Sequence, residues 1–154
     1  MNAGSDPGAW NLLPGNRFDL LPTGPRLRVS VVVPHFEQQA QLDRTLAAVL
    51  AQEPAEVVVA DDGSAVAPVV PAGVRLVRQD DRGFRAAAAR NLGAAQTTGD
   101  VLVFLDADTV PEPGFLDALV RRAAACPDVL AVGRRRHPLS GIAAKSPADF
   151  SAKA

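Results

Sequence analysis

No regular alternation of apolar and polar positions develops in the first part of the chain. Residues 1–28 carry four prolines and four glycines among short apolar pieces such as "NLLP" and "DLLP". That punctuation predicts an irregular arm over residues 1–27, weakly anchored by Trp10, Leu12 and Phe18. From residue 28 the pattern becomes periodic. "RVSVVVP" (28–34) is a β-branched run stopped by Pro34, which predicts a buried strand. "AQLDRTLAAVLAQ" (40–52) sets Leu42, Leu46, Val49 and Leu50 on one helical stripe. "AEVVVADDGS" (55–64) predicts a second strand that breaks at Asp61-Asp62-Gly63, and "GVRLVRQ" (73–79) a third. The alanine-rich "FRAAAARNLGAAQTTG" (84–99) predicts a helix ending at Gly99. "DVLVFLDAD" (100–108) predicts a fourth strand, "PGFLDALVRRAAAC" (113–126) a helix opened by Pro113, and "DVLAVG" (128–133) a fifth strand.

Strands alternating with helices predict an α/β domain over residues 28–135, a doubly wound and mostly parallel sheet with helices on both faces. The tail over 136–154 is small and polar, with no predictable element. The 154 residues allow one domain with a sizeable core, and 47% hydrophobic against 21% charged residues is an ordinary globular balance. A net charge of −1 gives no bulk electrostatic case for binding nucleic acid or an anionic membrane. The single cysteine, Cys126, suits a reducing compartment. No apolar run approaches the roughly 20 residues of a membrane span. The N-terminus lacks the basic start and apolar segment of a secretory signal, so the expected location is the cytoplasm.

The chemistry concentrates where strands end. Pro34-His35-Phe36-Glu37 follows the first strand, Asp61-Asp62-Gly63-Ser64 the second, and Asp106-Ala107-Asp108 the fourth. Open parallel sheets bind ligands at the carboxyl ends of their strands. In an extended segment Asp106 and Asp108 point the same way while Ala107 points back. Two carboxylates aimed together raise each other's pKa unless a cation lies between them. Oxygen-only ligands suit Mg²⁺ or Mn²⁺, which keep positions open for phosphate oxygens. Taken alone, a D-x-D pair more often solvates a loop or caps a helix, as Asp108 could before "PEPGF", and the Asp61–Ser64 stretch is an ordinary turn. His35 reads as a backbone position, Cys126 as core, and Asp80-Asp81-Arg82 as a surface turn. The arginines of "GRRRHP" (133–138) read as a solvated loop.

The combination "VSVVVPHFEQQAQLDRTLAAVLAQ", "EVVVADDGS" and "DRGFRAAAARNLGAAQTTGDVLVFLDAD" resembles the nucleotide-binding half of family 2 glycosyltransferases, inverting enzymes of the Rossmann-like GT-A fold. The resemblance covers about residues 28–135. It implies a nucleotide-sugar donor, with uridine diphosphate the expected carrier, and a Mn²⁺ or Mg²⁺ ion. It implies that Phe36 stacks on the base with Pro34 presenting backbone, and that Asp62 accepts a hydrogen bond from the base. The basic residue over the base or diphosphate is matched best by Arg85 and next by Arg90. Asp106 matches the carboxylate near ribose and metal, and Asp108 the direct metal ligand.

Family members continue into an acceptor-binding half that supplies an acidic general base, which deprotonates the attacking hydroxyl of a glycan or other acceptor. Glu112, Asp117, Asp128 and Asp149 are the remaining downstream acids, and none has the expected context. The general base is therefore expected beyond Ala154, and no catalytic residue is assigned within the chain. The chain reads as the donor-binding part, completed by a missing half or by a second chain. Two rivals remain: a non-catalytic nucleotide-sugar-binding module, and a sugar-phosphate nucleotidyltransferase. The second would want a glycine-rich basic loop where "PHFEQQAQ" stands.

Overall fold

A computed structural model describes residues 27–125 and 130–133. Along it run β1 (Val29–His35), α1 (Gln39–Leu50), β2 (Glu56–Asp61), β3 (Val74–Arg78), α2 (Ala86–Ala94), β4 (Val101–Phe104) and α3 (Phe115–Ala125). The strands form one sheet in the order β3-β2-β1-β4, every pair parallel. After β3 the chain returns across β1 to place β4 on its other side. The carboxyl ends of β1 and β4 therefore flank the point where strand order reverses, and there an open α/β sheet has its crevice.

Both faces are covered because the strands are apolar at nearly every position. One face presents Val29, Val31, Val33, Val57, Val59, Val103 and Leu105 to Leu42, Leu46 and Val49 of α1 and Leu116 of α3. The other presents Val32, Val58 and Ala60 to Ala89 of α2. Side chains along a strand alternate between faces, so a run such as Val31-Val32-Val33 feeds both cores. On α1 the buried stripe is Leu42, Thr45, Leu46 and Val49, and Leu50 lies off it, partly exposed. Thr45 belongs to that stripe because its hydroxyl donates to the Ala107 carbonyl at 2.8 Å, tying α1 to the chain just past β4.

α2 approaches the sheet closely because its contact residues are small. A Cβ added at Gly93 would lie 2.5 Å from Val32 Cγ1 and 3.2 Å from Ala60 Cβ. Alanine is the better helix former by about 1 kcal/mol, but overpacking a closed contact costs about 1–3 kcal/mol. Val32 is fully buried and cannot turn away. Gly93→Ala is therefore expected to destabilise the domain by about 1–2 kcal/mol, read as a lower urea midpoint; a stabilised variant would show that α2 rides higher than the contact implies.

Two expected strands change. β4 stops at Phe104; Leu105 adds one more ladder bond, from its N–H to the Val32 carbonyl, before the chain turns at Ala107 and Asp108. Residues 130–133 of the expected fifth strand are not strand, and Leu130 and Val132 are 90% and 86% exposed. An apolar run becomes a strand only when its backbone groups find a ladder partner, and none is present among the described residues. Residues 126–129 with Cys126, the N-terminal arm as far as residue 26, and the stretch from residue 134 to Ala154 lie outside the described residues. β4 is a sheet edge among the described residues, and its Leu102 and Phe104 are exposed.

Candidate functional site

Three strand ends meet in a polar network beneath the crevice. His35, Asp61 and Arg78 are the last residues of β1, β2 and β3 and stand opposite one another in register. Asp61 is fully buried. Its Oδ1 takes hydrogen bonds from His35 Nδ1 at 2.8 Å and Ser64 Oγ at 2.5 Å, and its Oδ2 from Arg78 Nε at 2.9 Å and the Ser64 N–H at 3.0 Å. The Gln38 N–H lies 3.1 Å from His35 Nε2. A backbone N–H can only donate, so Nε2 accepts and the imidazole proton sits on Nδ1, facing Asp61. Ser64 is thus bonded to Asp61 and not to Nε2. This is a structural clasp and not the nucleophile–base arrangement its residue types suggest. Burial alone would push the Asp61 carboxyl up, but the bonds from Ser64, His35 and Arg78 outweigh it and hold the group below the ordinary carboxylate value.

The clasp fixes the two loops above it. The Glu37 N–H donates to Ser64 Oγ at 2.9 Å, and Glu37 Oε1 accepts the Ala65 N–H at 2.5 Å. Phe36 stands between the clasped His35 and the anchored Glu37, and it is 48% exposed. Gly63 has φ +89°, and a Cβ there would run into the Asp81 backbone, so both its conformation and its space demand glycine. That turn aims Asp62 toward α2. Asp62 is 5% exposed; its Oδ2 accepts the Arg85 N–H at 2.7 Å and its Oδ1 a bond from Gln79 Nε2. A carboxylate at the start of α2 is favourable to the helix dipole.

Phe36, Asp62, Phe84, Arg90, Asp106 and Asp108 line one open cleft of about 310 Å³, with Pro34 and His35 at its base. The size lies at the lower end for small-molecule sites. Asp106 and Asp108 are exposed on either side of buried Ala107, displayed by a turn and not by strand alternation. Arg90 Nη2 bonds Asp106 Oδ1 at 2.6 Å. The Arg85 guanidinium turns away instead, donating to the Asp80 carbonyl at 2.7 Å, so Arg90 replaces Arg85 as the cation facing the cleft. Three carboxylates against one guanidinium leave the cleft with an excess of two negative charges. That excess disfavours a bare phosphate and favours one accompanied by a cation. Among the described residues no group of three or more His, Cys, Asp or Glu gathers to hold a metal. Two carboxylates with room for water and phosphate oxygens fit Mg²⁺ or Mn²⁺, which keep such positions open. A larger, mostly apolar hollow of about 490 Å³ lies between the end of α1 and the start of α3, away from these groups.

The profile of glycosyl transferase family 2 matches residues 30–151. The chain belongs to glycosyltransferase family 2. Hyaluronan synthase of Pasteurella multocida is 32% identical over 138 residues, 83% of this chain and 14% of that protein. Validoxylamine A glucosyltransferase of Streptomyces hygroscopicus subsp. limoneus is 37% identical over 103 residues, 60% of this chain and 23% of that protein. A mannosyltransferase from Pyrobaculum calidifontis, solved in complex with GDP-Man and Mn²⁺, superposes with a TM-score of 0.58 at 26% identity, covering 75% of this chain and 37% of that one. Glucosyl-3-phosphoglycerate synthase from Mycobacterium tuberculosis, solved with Mn²⁺ and UDP, superposes at 0.51 with 26% identity, covering 64% and 40%. This glycosyltransferase chain thus has the GT-A sheet and spans well under half the length of these relatives.

Sequence reading missed the clasp and the aromatic lip. His35, Asp61 and Arg78 each lie within a residue or so of a predicted strand end, and in a parallel sheet with aligned ends such residues become neighbours. Phe84, 95% exposed at the cleft mouth, follows Gly83 and lies outside the helical stripe. Of the downstream acids, Glu112 and Asp117 fall within the described residues and neither lines this cleft. Asp128, Asp149 and the expected base beyond Ala154 lie outside the described residues.

Proposed function

We propose that the cleft binds the nucleoside diphosphate of a sugar donor, with uridine diphosphate the expected carrier, together with Mn²⁺ or Mg²⁺. The observation carrying this is the company the carboxylates keep: an exposed aromatic ring, a buried aspartate and an acidic pair meet at the strand-order switch. In this reading Phe36 stacks on the base and Pro34 presents its backbone beside it. Asp62 has lone pairs beyond those engaged by Arg85 and Gln79, and one accepts from the base. Asp108 and Asp106 would hold the cation, whose chemistry is to stabilise negative charge developing on the leaving diphosphate. Arg90, on the cleft wall, meets the diphosphate oxygens. Residues 28–135 form the donor-binding domain, and the protein works in the cytoplasm.

The full reaction is transfer of the sugar to a hydroxyl acceptor, such as a glycan, with inversion at the anomeric carbon. It requires a base that removes the acceptor proton as the hydroxyl attacks. The acids lining the described cleft are all on the donor side. The base and the acceptor site are accordingly assigned to protein outside the described cleft.

Calorimetric titration with uridine diphosphate, with and without Mn²⁺, tests the reading. Binding that appears only with the metal is expected, accompanied by slow metal-dependent release of the nucleotide from a UDP-sugar. Binding without any such release would favour a non-catalytic module. Asp62→Asn keeps one acceptor oxygen for the α2 N-terminus, and it is expected to weaken uridine diphosphate by about 1–3 kcal/mol, the scale of a partner left unpaired. Equal affinity would confine Asp62 to holding Arg85 and Gln79.

A further inference from the structure

The cleft contains its own counter-ion. Arg90 and Asp106 form an ion pair at 2.6 Å, with their side chains 35% and 52% exposed. Arg90 projects from the middle of α2, between Ala89 and Gly93, which are buried against the sheet. The backbone of Arg90 is therefore fixed, while its guanidinium sits at the end of a long, half-solvated stem. The other arginines at this end of the sheet are engaged elsewhere: Arg78 with Asp61 and Ser64, Arg82 with Asp80, and Arg85 with the Asp80 carbonyl.

Asp106 has two suitors. A guanidinium and a divalent cation repel each other, and both are drawn to the same carboxylate. A diphosphate changes the balance, because planar guanidinium is well matched to phosphate oxygens. We propose that Arg90 is an exchangeable counter-ion: without a diphosphate it occupies the cation's position at Asp106, and with one it transfers to the phosphates and releases Asp106 to the metal. The proposal rests on the donor-site reading above. It makes metal binding and diphosphate binding mutually reinforcing, and linkage requires the coupling to be equal in both directions. Because the pair is partly exposed, its hold is modest. The exchange therefore tunes the order of binding and does not bar the metal outright.

Mn²⁺ alone, followed by the electron paramagnetic resonance of the free ion, is the probe. Arg90→Gln is expected to bind Mn²⁺ alone about three- to tenfold more tightly than the native chain, as removal of a partly exposed ionic competitor should do. The same variant is expected to bind uridine diphosphate with Mn²⁺ about tenfold more weakly, and to lose most of the gain in Mn²⁺ affinity that the nucleotide confers. Arg90→Lys, which keeps the charge but not the fork, should fall between. Unchanged or weaker affinity of Arg90→Gln for Mn²⁺ alone overturns the exchange, as does a lack of Mn²⁺ binding by either protein without nucleotide. Failure of the native chain to bind uridine diphosphate even with Mn²⁺ is a different result, and it removes the donor-site reading itself.

Discussion

Asp61→Ala is expected to cost about 3–5 kcal/mol, a large share of the 5–15 kcal/mol typical of a domain. The cost comes from what the aspartate leaves behind. His35 is nearly buried, and its Nδ1 proton would face an apolar gap; Ser64 would lose both bonds to the carboxylate. Arg78 is 39% exposed and can turn to water, which places the expectation near the lower end. Asp61→Asn retains an acceptor oxygen and should lose less. Urea denaturation measures both, and a loss below about 1 kcal/mol for alanine would reduce the network to the level of a surface pair. The pH dependence has a definite sign. The folded-state pKa of Asp61 lies below the ordinary 3.8, so the folded protein binds fewer protons than the unfolded chain in that range. The contribution is fully present above that value and is lost as pH falls through the lowered pKa. Glu56, held low first by the Ser30 hydroxyl and then by the Thr98 N–H, adds loss of the same sign below 4.5. Acid unfolding of Asp61→Ala should accordingly be shallower than that of the native chain.

That clasp also shows where sequence reading stops. β1, β2 and β4 were legible because their apolar residues are contiguous, with Pro34, Asp61-Asp62-Gly63 and Asp106 close to their ends, and β3 because Val74, Leu76 and Val77 follow Gly73. The helices were legible from period and composition, α1 from its stripe and α2 from its alanines. Register was not. Nothing local says that His35 stands opposite Asp61 and Asp61 opposite Arg78, since that depends on where three separate strands align. The same limit separates Arg85 from Arg90. Both lie in one basic, alanine-rich stretch, and only the packing of Ala89 and Gly93 against Val32 and Ala60 decides which guanidinium faces Asp106. "DVLAVG" failed for the converse reason: its pattern was right for a strand, but residues 130–133 have no ladder partner among the described residues. The acidic pair was legible as a pair. Its presentation on a turn was not, because the strand reading carried the alternation four residues past Phe104.

Asp108→Ala is expected to separate binding from folding in the way Asp61→Ala cannot. Asp108 stands on the turn after β4, exposed, and takes a hydrogen bond at 3.3 Å from the neighbouring Thr109 hydroxyl. Removing a solvated carboxylate from such a place normally changes stability by no more than about 0.5 kcal/mol. The cleft, however, goes from two carboxylates displayed together to Asp106 alone, which Arg90 already holds. A cation then has one contested protein oxygen group in place of a pair. Even loss of a group that merely supports a ligand costs about 10–100-fold in metal affinity, and loss of the ligand itself should exceed that. Uridine diphosphate binding by the variant should therefore become weak and indifferent to Mn²⁺, matching the native chain treated with a chelator. Asp108→Glu, which returns an oxygen ligand on a longer stem, should restore part of the metal dependence. Calorimetry with and without Mn²⁺, beside a urea curve on the same preparation, reads both properties. An Asp108→Ala chain that stays folded and keeps the native metal dependence would move the cation away from this turn, and with it the donor diphosphate.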